Sequence, residues 1–330
     1  MKKTIISARH RPGIMNSPSG DRQGMTGVII AVIVVLIVIV GLLMAFFIPL
    51  RTVEINEARQ TALPSGIEAL NISLDVDVGE IDVQFVDDPT TAVALNVTGQ
   101  HRTSLMSSRE PASVKWEESI NGSTLSVEST IRVGGSVGPY FANDVECVLL
   151  VSDRVGISLT ILNEVGGIEV ITSDGANVTS MNLRATTGGV RLTMANNVSL
   201  NGALNMKTNT GGVDLAWDNV RTYGNARIDM GAAIGGVRAK VTQTEELGGN
   251  VPFSASASVG GVSLDLYIKG NTSANLTAST GLGGVSIHDG TGFDSTNNYI
   301  TSENYVTDSN FDIDLNGSVG GIDMRLRYEG

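Results

Sequence analysis

Two hydrophobic patterns divide this chain. From Gly27 to Leu50 it reads GVIIAVIVVLIVIVGLLMAFFIPL without a charged residue, and from residue 67 onward apolar and polar residues alternate in short runs. At about 1.5 Å per residue the first pattern is long enough to cross a hydrocarbon core of roughly 30 Å as a helix. In lipid the backbone must satisfy its own hydrogen bonds, which enforces a helix even for Val and Ile. The second pattern has the period of half-buried strands, apolar inward and polar outward. Together they predict a basic arm over 1–26, a transmembrane helix over 27–50, a polar connector over 51–66 broken by Pro64-Ser65-Gly66, and an all-β domain over 67–330.

The β region repeats. Gly-Gly-[Val/Ile] begins at Gly166-Gly167, Gly188-Gly189, Gly211-Gly212, Gly235-Gly236, Gly260-Gly261, Gly283-Gly284 and Gly320-Gly321, at spacings of 22, 23, 24, 25, 23 and 37 residues. Alternating runs flank each pair, such as Leu204-Asn205-Met206-Lys207 before one and Val213-Asp214-Leu215-Ala216-Trp217 after it. Two short strands joined at a glycine corner and repeated at this period predict a β-solenoid-like stack of coils. The glycines are then structural, tolerating positive φ and letting neighbouring coils approach. A phosphate cradle would need a helix N-terminus or a lysine after the glycines, whereas a strand pattern follows every pair.

Charge gives the expected topology. Residues 1–26 carry Lys2, Lys3, Arg9, Arg11 and Arg22 against Asp21, a net of +4, while the whole chain stands at −12. The positive-inside rule keeps the arm cytoplasmic and sends the acidic remainder outward, with membrane lipid as its first partner. Asp21-Arg22-Gln23-Gly24 before Met25 also resembles an archaeal leader cut after that glycine, which keeps a pilin-like filament subunit as an alternative. The acidic balance argues against nucleic acid as a partner.

The repeat grammar, seen in Ser258-Val259-Gly260-Gly261-Val262-Ser263-Leu264, resembles the prokaryotic putative-adhesin family of Gly-rich β-strand repeats and the related toast-rack envelope domains. The run from Leu74 to Val83, Thr124-Leu125-Ser126-Val127, and the strand pattern of Val145, Cys147 and Leu149 fit the same family. That resemblance implies an all-β repeat fold on a prokaryotic surface or envelope. It transfers no site residues.

Little in the chain points to chemistry. His10, His101 and His288 lie in no motif, and the lone Cys147 excludes a disulfide framework within the chain or a CxxC pair. Asp75/Asp77 and Asp312/Asp314 recur at period two, so they line solvated strand faces and lack the loop spacing of calcium motifs. No catalytic residue, metal site or cofactor is expected. Eight Asn-x-Ser/Thr sequons, at Asn71, Asn96, Asn121, Asn177, Asn197, Asn271, Asn275 and Asn316, fall on the exported side as N-glycosylation candidates. The 37-residue interval holds Phe293, Tyr299, Tyr305 and Phe311 at spacings of six, either a cap over the open end of the stack or a binding patch. The expected role is adhesive or scaffolding at the cell surface, through a glycan, an envelope protein or a second copy. An envelope sensor signalling through 1–26 is the other alternative.

Overall fold

The computed structural model describes residues 32–41, 51–103, 112–133, 144–296, 299–305 and 308–330. Residues 32–41 are helical, and the large apolar side chains of that helix are exposed. No helix among the described residues is long and apolar enough to cross a membrane. The basic arm, the leader motif at Gly24 and the rest of 27–50 lie outside the described residues.

The remainder is strand and turn. In chain order the first strands are β1 (Arg51–Ala62), β2 (Ala69–Val78), β3 (Glu80–Val86), β4 (Thr91–Thr103), β5 (Ser113–Asn121), β6 (Thr124–Arg132), β7 (Asp144–Ser152), β8 (Gly156–Val165) and β9 (Ile168–Ile171). The middle of the chain gives β10 (Asn177–Thr187), β11 (Val190–Met194), β12 (Ser199–Leu200), β13 (Ala203–Thr210), β14 (Val213–Asp218), β15 (Arg221–Thr222), β16 (Arg227–Ile234) and β17 (Val237–Gln243). Last come β18 (Val251–Val259), β19 (Val262–Lys269), β20 (Ser273–Leu282), β21 (Val285–Thr291), β22 (Phe293–Thr296), β23 (Tyr299–Ser302), β24 (Asn310–Val319) and β25 (Ile322–Glu329).

They form two sheets. One runs β1-β4-β7-β3-β9-β11-β14-β17-β19-β25-β21, the other β22-β23-β20-β24-β18-β16-β13-β10-β8-β2-β6-β5. Each Gly-Gly corner carries the chain from a strand of the second sheet into one of the first, and like strands of successive rungs pair in parallel. Alternation decides what each strand buries. Val213, Leu215 and Trp217 of β14 point inward, and Asp214, Ala216 and Asp218 do not. Parallel register then stacks like positions, so Leu183, Met206, Met230, Ala255 and Leu315 form one buried row across five rungs. Each fully buried Leu or Met side chain contributes about 1.5–3 kcal/mol.

The two glycines of a corner are not equivalent. The first has φ between +127° and +145° at all seven corners. A Cβ there would lie 1.7–2.0 Å from the carbonyl oxygen of the corresponding glycine one rung away, as at Gly188 against Gly166 and Gly211 against Gly188. Its N–H donates to the carbonyl of the neighbouring rung, for example Gly188 to Thr210 at 2.8 Å. From Gly189 to Gly321 the second glycine has no such φ, and a Cβ would make ordinary contact, 3.6 Å at Gly189 and 3.7 Å at Gly212, or none at Gly284, with a tighter 3.3 Å at Gly261 alone. The single-glycine corner at Gly79 (φ +150°) shows the same division, with Glu80 in the second place. Positive φ and close approach, expected of the corner glycines, thus fall on the first of each pair.

Three further expectations change. Residues 51–66 are more than a connector, because β1 occupies most of them and pairs antiparallel with β4 from Arg51↔Thr103 to Ala62↔Thr91. The stack does not follow chain order at its ends. The rung of β6 and β7 lies outside that of β2 and β3, and the rung of β24 and β25 is inserted between that of β18 and β19 and that of β20 and β21. The 37-residue interval is the return path of that insertion, through the β22–β23 hairpin, whose β23 pairs antiparallel with β20.

The glycine asymmetry fixes an outcome. Gly211→Ala should destabilise the protein by at least about 3 kcal/mol, through backbone strain and overlap with a carbonyl that cannot move alone. Gly212→Ala should stay within about 0.5 kcal/mol of the parent. Denaturant titration of the two variants side by side checks the contrast.

Candidate functional site

Among the described residues no side-chain cluster resembles a catalytic centre, so the candidate site is the outer surface of the sheets. Ser286, His288 and Asp323 come nearest to a triad. Both Ser286 Oγ (3.4 Å) and Asp323 Oδ1 (3.3 Å) approach the same nitrogen, Nε2, of an exposed imidazole. A relay needs the base and its orienting carboxylate on different ring nitrogens, so this arrangement cannot pass a proton from the serine. Among the described residues no group of three or more His, Cys, Asp or Glu side chains is placed to hold a metal ion. The side chain of His101 and the whole of His10 lie outside the described residues.

Of the carboxylates singled out by their spacing, Asp75, Asp77 and Asp314 have local partners. Arg132 on β6 reaches across to β2, 2.7 Å from Asp75 and in contact with Asp77, and these carboxylates hold its guanidinium pKa above the usual value. Asp314 accepts a hydrogen bond from the Thr277 hydroxyl at 2.9 Å. Asp88, which carried no sequence signal, accepts from the backbone N–H and hydroxyl of Thr90 and the N–H of Thr91, and these bonds pull its pKa down to about 2. That is a turn held together by its own carboxylate.

The sequons separate by environment. Asn71, Asn96, Asn121, Asn177, Asn271 and Asn316 are exposed, whereas Asn197 and Asn275 are half-buried. Asn197 has φ +60° and is engaged on both ends of its amide, donating to Asp174 and accepting from Arg221. In most of the sequons the middle residue is buried, as with Ile72, Val97, Val178, Val198 and Leu276. A strand that alternates Asn, an apolar residue, and Ser or Thr writes the motif as a by-product of its two faces.

The four aromatics do not share a surface. Phe311 is fully buried, its ring 6.0 Å from that of Trp217 in an edge-on pair, and Phe293 packs against the core. Only Tyr299 and Tyr305 are exposed. The even spacing implied one face, but Phe293 and Tyr299 sit on the two strands of a hairpin and Phe311 starts the inserted rung, so no single extended segment carries all four. Sequence reasoning also missed an exposed aliphatic row just before the corners, formed by Val165, Ile234, Val259, Val319 and Leu282. Its signal was the apolar residue immediately ahead of many Gly-Gly pairs. Beside it runs a groove floored by Gly167 and Gly189 and edged by Glu169, Arg191 and Asp214.

No family model matches the chain, and no curated protein matches it. Among solved structures it is similar to a "putative cell adhesion protein" from Clostridium sporogenes ATCC 15579, at 14% identity over 83% of this chain and 100% of that one, with a TM-score of 0.42. A "putative adhesin" from Bacteroides fragilis NCTC 9343 matches at 13% identity over 83% and 97%, with a TM-score of 0.30. Another from Parabacteroides merdae ATCC 43184 matches at 9% identity over 82% and 96%, with a TM-score of 0.24. Overlaps this loose carry neither fold nor function to this chain.

Cys147 supplies a test of the core beneath these faces. It is buried between the sheets, and burial, with a smaller contribution from the Glu146 charge, pushes its thiol up to about 12. Burial penalises the thiolate of the folded protein, so the group leaves stability unchanged below about 9, where the thiol is neutral in both states, and lowers it as pH rises toward 12. The native protein should therefore resist a thiol reagent at pH 8 and react stoichiometrically once unfolded.

Proposed function

We propose that this chain is a membrane-anchored surface protein with a non-catalytic, adhesive or scaffolding role, its two sheets stacked as a solenoid-like rod. The anchor reading rests on the uncharged run from Gly27 to Leu50 and the basic arm before it. The observation that carries the role is the outer face of the second sheet. Parallel register lines up short polar side chains there: Ser254, Ser256 and Ser258 on β18 lie beside Asp314, Asn316 and Ser318 on β24, next to Thr277 and Ser279 on β20. Such a face is flat and rich in hydroxyl and amide groups, and it offers hydrogen bonds at a repeat of about 4.8 Å. It suits weak, multivalent contact with polar polymers such as cell-surface glycans, where many small interactions add through proximity.

The exposed sequons, Asn71, Asn96, Asn121, Asn177, Asn271 and Asn316, are the acceptors we assign if the native host glycosylates the exported chain. Asn197 is excluded from that set by its engaged amide. Intact-mass and peptide mapping of natively produced protein would check this, with Asn197 unmodified.

The full chain in mild detergent, presented to a glycan array and to whole cells, tests the role itself. Saturable binding that is lost when Ser254 and Ser256 are both replaced by Lys supports the reading. Absence of binding to cells and glycans alike contradicts it.

A further inference from the structure

We propose that two copies of this chain dock face to face and antiparallel along the Gly-Gly corners, about a two-fold axis passing between the rung of β10 and β11 and the rung of β13 and β14. The inference stands apart from the adhesive role, since it concerns a different face and would hold for a protein that binds no glycan.

Two rows of side chains bracket the glycine corners along the chain, and the second of them edges the groove. On one side, the residues just before the first glycine follow the order Val78, Val165, Thr187, Thr210, Ile234, Val259 along the stack. Val165, Ile234 and Val259 are each about half exposed (48, 56 and 51%), although they are aliphatic. On the other side, the first outward positions of the other sheet follow the order Asp82, Glu169, Arg191, Asp214, Arg238, Ser263. Within one copy Arg191 is only loosely paired, at 3.6 Å from Glu169 and 4.0 Å from Asp214, so its charge is not spent on a close bridge.

Both rows are self-complementary about the same point. A dyad lying across the stack places each row against its own copy running the other way. Centred between Thr187 and Thr210, the first row sets Thr against Thr, Val165 against Ile234 of the partner copy, and Val78 against Val259. The same axis sets Arg191 against Asp214, Glu169 against Arg238, and Asp82 against the uncharged Ser263. Displacing the axis by half a rung in either direction puts Arg191 opposite Arg191 or Asp214 opposite Asp214. Displacing it by a full rung opposes Asp82 to Asp214 or Glu169 to Asp323. One register therefore satisfies apolar and charged rows together, and its neighbours are penalised by like charges, which is how an interface fixes its own alignment. The second glycines complete the fit. At Gly189, Gly212 and Gly236 a Cβ would meet only ordinary contacts, so the fold does not demand glycine there, and their bare surface keeps the groove open to close approach.

The test uses full chain in detergent, where the native Cys147 is buried. Copies bearing V165C are mixed with copies bearing I234C under mild oxidation. In the proposed register these positions face each other, whereas two copies of the same variant hold their cysteines three rungs, about 14 Å, apart, beyond disulfide reach. A covalent dimer should form in the mixture and not in either variant alone. R191D should abolish it, and the charge-swapped R191D/D214R should restore it, with circular dichroism confirming that each variant is folded. Absence of a dimer in the mixture, equal cross-linking in the single-variant samples, or failure of the swap to restore it overturns the proposal. A monomer whose corner binds a glycan or a different protein gives the first of these results.

Discussion

A carbonyl oxygen standing where a side chain would begin is the constraint on which the rest of this structure depends. At each corner the first glycine meets the backbone of the next rung so closely that no Cβ fits. That approach lets the chain pass from one sheet to the other within two residues while both sheets keep parallel register with their neighbours. Once the corners align, every inward position falls above its counterpart, and a core of Val, Leu, Ile and Met rows follows, with a few rings such as Trp217, Phe253 and Phe311 among them. Polar side chains help at two rungs. The Asn163 amide donates to the Gly79 carbonyl and the Thr208 hydroxyl to that of Gly188, occupying oxygens the turn would leave unpaired.

Much of this was legible in the sequence, because the constraint repeats and leaves a periodic signature. Gly-Gly-[Val/Ile] located the seven corners, and alternation assigned the buried residues of strands such as β14 and β19. What was not legible depended on partners distant in the chain. The strand β1 reads as polar linker because β4, some forty residues later, supplies its pairing. The inserted rung of β24 and β25 cannot be read from local pattern, since either order of the last two rungs buries the same side chains. Phe311 looks like its aromatic neighbours in the sequence but lies in the core because β24 is enclosed between β18 and β20. The inequality of the two glycines was equally hidden, although Gly79-Glu80 held the clue that a side chain is tolerated in second place.

The surface follows from the same geometry. Parallel stacking turns single residues into rows, so the chemistry the protein presents is that of lines of hydroxyls, amides, charges or aliphatic groups rather than of a pocket. Titratable groups with displaced pKa values, Asp88 and Arg132 among them, are explained by a turn and an ion pair, and they do not converge. An adhesive or scaffolding role uses such rows directly.

Amide hydrogen exchange at the corners tests the central claim most directly. The first glycines other than Gly283 donate to a neighbouring rung at 2.7–2.8 Å, whereas among the described residues the second glycines from Gly189 onward have no acceptor. The amides of Gly188, Gly211, Gly235 and Gly260 should exchange only with unfolding of the stack, and those of Gly189, Gly212, Gly236 and Gly261 orders of magnitude faster. Equal protection within the pairs, or fast exchange at the first glycines, would contradict it.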